Sequence, residues 1–424
     1  MNIKMRLTVM SFLQFFVWGA WLITIATYYF NNPAFVANNP NAGAQFGAIF
    51  GTLALSSLFM PAITGIIADK WMDAEKLYGI LHILYGAFLF LVPQAKTADQ
   101  LYYTILGAMI CYMPTISLSN SIAYSILKRE GYDVVKVFPP IRVWGTIGFI
   151  VAMWMTNLTG SKANTNQFLI GGAAAVLLGL FSFTLPKCPP QRTIAKDASL
   201  TEQLGLKAFK LFGNYKMALF FLFSMLLGGA LQLTNAYGDT FLDDFKNNPL
   251  YGPDSFVVKY STIIMSISQI SETVFIITIP FFLRRYGIKN VMLFSMLAWV
   301  LRFGLFAYGN PADGLWMIVL SCIVYGMAFD FFNISGSLFV ETTTDPGIRS
   351  SAQGLFMMMT NGAGAWLGST VSGYVIDRFF TVDGHKQWHD IWLSFAAYAL
   401  VVALLFVVLF RHKHDPKAVM QVAH

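Results

Sequence analysis

The chain has 424 residues, 56% of them hydrophobic and only 12% charged, against roughly 25% charged in ordinary soluble domains, so there is too little charge to cover a water-facing surface. Its three cysteines, Cys111, Cys188 and Cys322, are too few and too far apart for a secreted disulfide scaffold. The formal charge of +7 suggests a nucleic-acid partner, but no basic stripe interleaved with aromatic residues is present, and the cations fall where membrane topology would put them.

Apolar stretches long enough to cross a bilayer recur at 7–29, 44–68, 77–94, 101–127, 139–158, 167–186, 217–241, 257–283, 290–309, 315–340, 350–376 and 390–410. Allowing about 35 residues for a span and its connection, the length matches about twelve spans. The first stretch follows Lys4 and Arg6 as a signal peptide would, but it exceeds twenty residues and lacks a small-residue cleavage site, so it is expected to remain as a span. Twelve spans put both termini on one side, and Lys and Arg should concentrate there if that side is the cytoplasm. Of the 28 Lys and Arg, twenty fall on the terminal side and six on the other, with Arg142 and Arg302 inside spans. The expectation is an all-α membrane protein with twelve transmembrane helices and cytoplasmic termini.

The longest polar stretch, 187–216, carries Pro189 and Pro190 and divides the chain into six spans plus six. The predicted parts are an N-terminal six-helix bundle (1–186), a cytoplasmic linker (187–216), a C-terminal six-helix bundle (217–411) and a cytoplasmic tail (412–424). Within the linker, Ser199 and Glu202 have capping-box spacing before Leu204, Leu206, Phe209 and Phe212, with Gly213 placed to end the helix. An interfacial helix and an ordinary solvated linker helix fit this pattern equally. Short basic turns occupy corresponding places in the two halves, GIIADK at 65–70 and PFFLRRYGIK at 280–289. The first resembles the loop signature of the major facilitator superfamily, G-x-x-x-D-[RK]-x-G, although Met72 stands at the second Gly. That resemblance implies the major facilitator fold, two six-helix bundles around a central cavity with substrate bound near the bilayer midplane.

A charge near the bilayer centre costs at least ~2.5 kcal/mol, so an embedded ionisable residue needs a partner or a water-lined cavity. Of the 21 acidic residues only Glu272 and Asp330 sit well inside spans; Asp69, Asp239 and Glu341 lie near span ends. Glu272 follows Ser268 and Gln269 on one helical face, and its side chain is too short to reach the headgroups. A cavity or coupling role and a structural ion pair are the alternatives for it, and for Asp330. Arg142 opens span five after Phe138-Pro139-Pro140, where its long side chain can reach the headgroups. Against that, Thr146 and Phe149 at i+4 and i+7 give one face with a cation, a hydroxyl and a ring. Arg302 reads as the structural partner of an embedded acid rather than a substrate ligand. Gln232 and Asn235, one turn apart in span seven, offer amides to a ligand or to a neighbouring helix. The line Gln14, Trp18, Trp21 in span one suits either packing or an interface belt. His82 reads as a structural histidine rather than a proton relay.

No phosphate-binding G-x-x-x-x-G-K-[ST] loop, Cys/His cluster or nucleophile motif is found, so neither an enzyme, a cofactor nor a metal is expected. A transporter driven by an ion gradient remains.

Over nearly its full length the chain resembles the nucleoside:proton symporters, the bacterial nucleoside and xanthosine permeases of the major facilitator superfamily. The matching segments are SFLQFFVWG at 11–19, FMPA at 59–62, FPPIRVWGTIGF at 138–149, MSISQISE at 265–272, FDFFNISG at 329–336 and SAQG at 351–354. What this resemblance implies is proton-coupled nucleoside uptake by alternating access across the bacterial cell inner membrane. It implies a ligand shell of Arg142, Thr146, Phe149, Gln232, Asn235, Gln269, Glu272, Tyr325 and Phe329, with Glu272 and Asp330 in proton coupling. The residues themselves fit a nucleoside, whose flat base can stack and whose ribose offers hydroxyls, but a sugar would want much the same equipment. A sugar or oligosaccharide:proton symporter is therefore the alternative. A membrane sensor of the same fold would need a signalling domain that neither the central loop nor the tail is long enough to supply. Expected partners are a nucleoside, protons and membrane lipid, with no nucleic acid, the protein acting as a monomer. Substrate release is expected when a cation such as Arg302 or Arg142 moves relative to the buried acid.

Overall fold

The computed structural model describes residues 2–190, 206–345 and 348–412, and the chain divides into two compact units, Met1–Gln203 and Leu204–His424. Ser199 and Glu202 lie outside the described residues. The described end of the linker, Leu206–Gly213, is a 3-10 helix instead of the α-helix its spacing suggests.

The principal helices of the first unit are α1 (Ile3–Gly19), α2 (Ile25–Phe30), α3 (Ala42–Lys70), α4 (Ala74–Leu91), α5 (Ala98–Arg129), α6 (Val134–Leu158) and α7 (Asn166–Ser182). Asn2 caps α1 by accepting from the Met5 amide at 2.9 Å, and Thr97 caps α5 by accepting from Gln100 at 3.2 Å. Span one is not the continuous helix expected from its hydropathy, because the chain leaves the α-helical path between Gly19 and Ile25. The break survives at membrane depth because its polar groups find partners: Thr156 donates to the Ala20 carbonyl at 2.8 Å, and Thr24 donates to Gln167 at 2.7 Å. Span five starts earlier than expected, at Val134, so Pro139 and Pro140 lie inside its helix beyond the first turn, where each removes an i→i−4 hydrogen bond.

α1 crosses α6 on glycine. A Cβ on Gly148 would run into the Phe12 carbonyl, and one on Gly19 would sit 2.6 Å from the Phe149 carbonyl oxygen, so the two backbones touch directly. The other face of α1 buries a polar knot. Gln14, wholly buried, donates to Thr115 at 2.9 Å and accepts from the Tyr78 hydroxyl at 2.5 Å, while Tyr112 donates to its carbonyl at 2.7 Å. Trp21 donates to the Tyr85 hydroxyl at 2.7 Å. The Gln14, Trp18, Trp21 line is thus packing against α4 and α5 and not a belt. Gln14→Leu should leave the Tyr78 hydroxyl without its acceptor and destabilise the protein by about 1–3 kcal/mol, read as a lower midpoint of thermal unfolding in detergent. At the ends of the unit, Arg6 donates to the Thr184 carbonyl at 2.6 Å and Arg129 to that of Lys187. These two cations therefore tie down the chain leaving α7.

The second unit contains α8 (Tyr215–Asp244), α9 (Ser261–Tyr308), α10 (Leu315–Thr343), α11 (Arg349–Met357), a π-helical segment Met358–Gly364, α12 (Ala365–Phe379) and α13 (Trp388–Leu409). A two-stranded hairpin, β1 (Thr381–Val382) with β2 (His385–Lys386), precedes α13. α9 holds two spans with no loop between them: only Gly287 leaves helical geometry, at φ 76°, a conformation natural to glycine. The glycine crossing of the first unit recurs here. A Cβ on Gly228 of α8 would collide with the Thr360 carbonyl, one on Gly364 with the Met225 carbonyl, and one on Gly368 with the Gly229 backbone. In each half, then, the first and fifth spans meet backbone to backbone.

Eight of these helices are long and apolar enough by themselves to cross a bilayer. α9 counts twice, and three further spans are α1 with α2, the 17-residue α7, and the helix interrupted by the π segment. The fold is the expected one of twelve transmembrane helices in two six-helix bundles.

Candidate functional site

In the N-terminal unit the predicted residues share one face of α6. The Arg142 guanidinium lies 4.0 Å over the ring of Phe15 on α1, a cation–π contact. Phe149 is buried and meets the edge of Trp18 at 6.1 Å between centroids, and Trp18 leans on Tyr112 at 5.5 Å. The half-buried Thr146 makes no hydrogen bond among the described residues, and the buried indole N–H of Trp18 also lacks a partner. Phe15 and Trp18 were not legible as site neighbours because they come from a different helix; their signal was only that they share span one's motif with Gln14.

The remaining predicted residues belong to the C-terminal unit. Gln232 and Asn235 on α8 are half-buried, and neither side chain is bonded to another described residue. On α9, the Gln269 side-chain oxygen is buried without a partner. Glu272 follows one turn later and is half-buried. α9 crosses α10 at Gly326, where a Cβ would stand 2.6 Å from the Ser271 carbonyl oxygen. That close approach is what places Glu272 within electrostatic range of both Tyr325 and Asp330.

Tyr325 and Phe329, one turn apart on α10, stack with centroids 5.8 Å apart and planes 9° from parallel. Trp299 abuts Tyr325 edge-on at 6.0 Å. Asp330 comes next in the chain, 4% exposed, with one carboxyl oxygen buried and unpartnered. A carboxyl group left unsatisfied in such surroundings is expensive, and sites of this kind usually serve function.

Arg302 corrects the expectation of an ion pair with an embedded acid. Fully buried, it donates to the Ser321 carbonyl at 2.6 Å and to Ser268 at 3.4 Å. Its guanidinium lies 4.7 Å over Tyr325 and 5.1 Å over Phe306. Its contacts are a carbonyl, a hydroxyl and two aromatic faces rather than a carboxylate, and its Nε is buried without a hydrogen-bond partner among the described residues. Arg302 thereby packs against the ring of Tyr325.

A helical chain of twelve spans in two bundles, with acids at membrane depth beside stacked rings, is a membrane transporter of the major facilitator fold. The sequence model of the nucleoside H+ symporter family matches residues 1–415, and the chain belongs to that family. It is 51% identical to the xanthosine permease of Escherichia coli K12 over 99% of this chain and 98% of that one. Identity to the nucleoside permease NupG of the same organism is 50% over the full length of both. The fold superposes on the crystal structure of nucleoside transporter NupG with a TM-score of 0.90, covering 97% of this chain and 100% of that one.

Proposed function

We propose that this protein carries nucleosides into the cytoplasm with protons, by alternating access across the bacterial inner membrane, with both termini on the cytoplasmic side. The observation that carries the reading is the stacked Tyr325–Phe329 pair followed directly by the buried Asp330, with Glu272 in electrostatic range. A flat base has rings to stack on, and a proton has carboxyl groups to ride on, within the same few turns. In the C-terminal unit Gln232, Asn235, Gln269 and Glu272 supply hydrogen bonds to ribose and base; in the N-terminal unit Arg142, Thr146 and Phe149 offer substrate a cation, a hydroxyl and a ring. Membership of the nucleoside H+ symporter family and similarity to a xanthosine permease and a nucleoside permease support this assignment.

At a membrane potential of about 150 mV, one co-transported charge supplies ~3.5 kcal/mol, enough for a few-hundred-fold accumulation. The test is uptake of labelled nucleosides by cells lacking their own permeases, with and without a protonophore. Accumulation that the protonophore collapses, blocked by uridine or adenosine but not by ribose, is the expected result. Block by free sugars alone would instead support a sugar symporter. Phe329→Ala should weaken nucleoside binding by about 1–3 kcal/mol, the usual loss of one base–ring stack, measured by titration calorimetry on the purified protein.

A further inference from the structure

A small cleft lies wholly within the C-terminal unit, next to Phe329, and the candidate site does not account for it. We propose that this cleft is a subsite that receives the exocyclic amino group of an adenine- or cytosine-type base, the two protons of that group being accepted by the carboxamides of Asn333 and Asn361. The inference rests on the nucleoside reading above and adds to it a determinant of selectivity.

The backbone geometry makes the cleft. The π-helical segment Met358–Gly364 widens span eleven locally, and such segments concentrate at functional sites. Thr360 and Asn361 sit in it, and the Thr360 carbonyl meets α8 at Gly228, where any side chain would collide. The distance between α8 and the π segment is therefore fixed by backbone contact at one wall. Trp299, Phe329 and Phe332 form the aromatic remainder. Trp299 and Phe332 are buried, whereas Phe329 is half-buried and shared with the stack on Tyr325. A base lying on Phe329 would therefore bring its edge to the cleft.

The polar equipment is two amides. Asn333 donates through its Nδ2 to the Phe329 carbonyl at 3.1 Å, and the Asn361 Nδ2 faces the Met357 sulfur at 4.0 Å. These contacts turn each amide nitrogen back to its own helix. Among the described residues neither Oδ1 then receives a hydrogen bond. The Thr360 hydroxyl is also spent on its own helix, donating to the Phe356 carbonyl at 3.0 Å. The cleft thus offers two amide oxygens as open acceptors, while each amide nitrogen has spent one of its two N–H groups on its own helix. It has room for a water-sized group, which suits a substituent on the ring edge rather than a whole ring. A single amino group carries two protons for two oxygens, and carboxamides are well suited to reading such edges.

The test compares ligands that differ only in this group: adenosine against purine riboside, and cytidine against 2-pyrimidinone riboside, bound to the purified full-length protein. The intact protein should prefer the amino-bearing member of each pair by about tenfold. Asn361→Ala and, independently, Asn333→Ala should reduce that preference severalfold while leaving the affinity for purine riboside unchanged. Equal weakening of both members by either folded variant, or no preference in the intact protein, would overturn the subsite while leaving nucleoside transport standing. Failure of every nucleoside to bind would overturn the transport reading itself, and the subsite with it.

Discussion

Asp330→Asn is expected to abolish uphill accumulation of nucleoside while leaving exchange of substrate across the membrane measurable. The amide keeps the size of the carboxyl group and most of its hydrogen-bonding capacity, so the stack of Tyr325 on Phe329 should persist, but it can neither take up nor release a proton. Asp330 is 4% exposed with one oxygen unpartnered, so no existing ion pair is broken by the change. What is lost is the coupled charge, and with it the ~3.5 kcal/mol that about 150 mV would contribute per cycle. In proteoliposomes with an imposed inward proton gradient, the variant should only equilibrate its substrate, yet show normal counterflow when preloaded. Glu272→Gln should differ, weakening substrate binding as well, because Glu272 stands by Tyr325 at the α9–α10 crossing. Undiminished gradient-driven accumulation in Asp330→Asn would move the proton to another group. Arg302 is anchored by the Ser321 carbonyl and two aromatic faces, so its displacement is a poor trigger for proton release. A change in water access to Asp330 during the cycle is the simpler switch.

The spans were legible because the bilayer forces about twenty apolar residues into each, a constraint that acts on every local window of sequence. Depth was legible for the same reason, and Glu272 and Asp330 stand out as the acids that cannot reach water along their own helices. The stack of Tyr325 on Phe329 follows from i,i+4 spacing on a helix. What local pattern does not carry is anything decided by a remote partner. The break in span one depends on Thr156 reaching the Ala20 carbonyl from another helix. The π segment is seated against Gly228, more than a hundred residues earlier in the chain. For Arg302 the sequence states that a buried cation needs company; only packing reveals that a carbonyl, a hydroxyl and rings surround it where an acid was expected. The same limit hid Asn361, an ordinary polar residue in sequence that the widened turn sets beside Phe329.

Gly148→Ala, Gly228→Ala and Gly364→Ala should be strongly destabilising, whereas Gly65→Ala and Gly354→Ala should be neutral or stabilising. All five add one methyl group, and in a helix interior alanine is intrinsically favoured over glycine by about 1 kcal/mol. At Gly65 and Gly354 the new Cβ meets nothing within 4 Å, so that preference should prevail. At the other three the methyl would strike a carbonyl of the facing helix, Phe12, Thr360 and Met225 respectively. A flexible side chain can swing away from such a clash; a backbone carbonyl committed to its own helix cannot, so the helices must separate along the whole crossing. Overpacking of this kind costs about 1–3 kcal/mol and sometimes more, against a helix preference of opposite sign. Thermal unfolding of the purified variants in detergent separates the two groups by sign, and Gly148→Ala melting with Gly65→Ala would show that the α1–α6 crossing is looser than its geometry implies. Because first and fifth spans touch on glycine in both halves, a parallel loss in Gly148→Ala and Gly364→Ala would show that each bundle depends on the same contact. Gly228→Ala should in addition disturb the spacing between α8 and the π segment, and so reduce nucleoside affinity in whatever fraction remains folded.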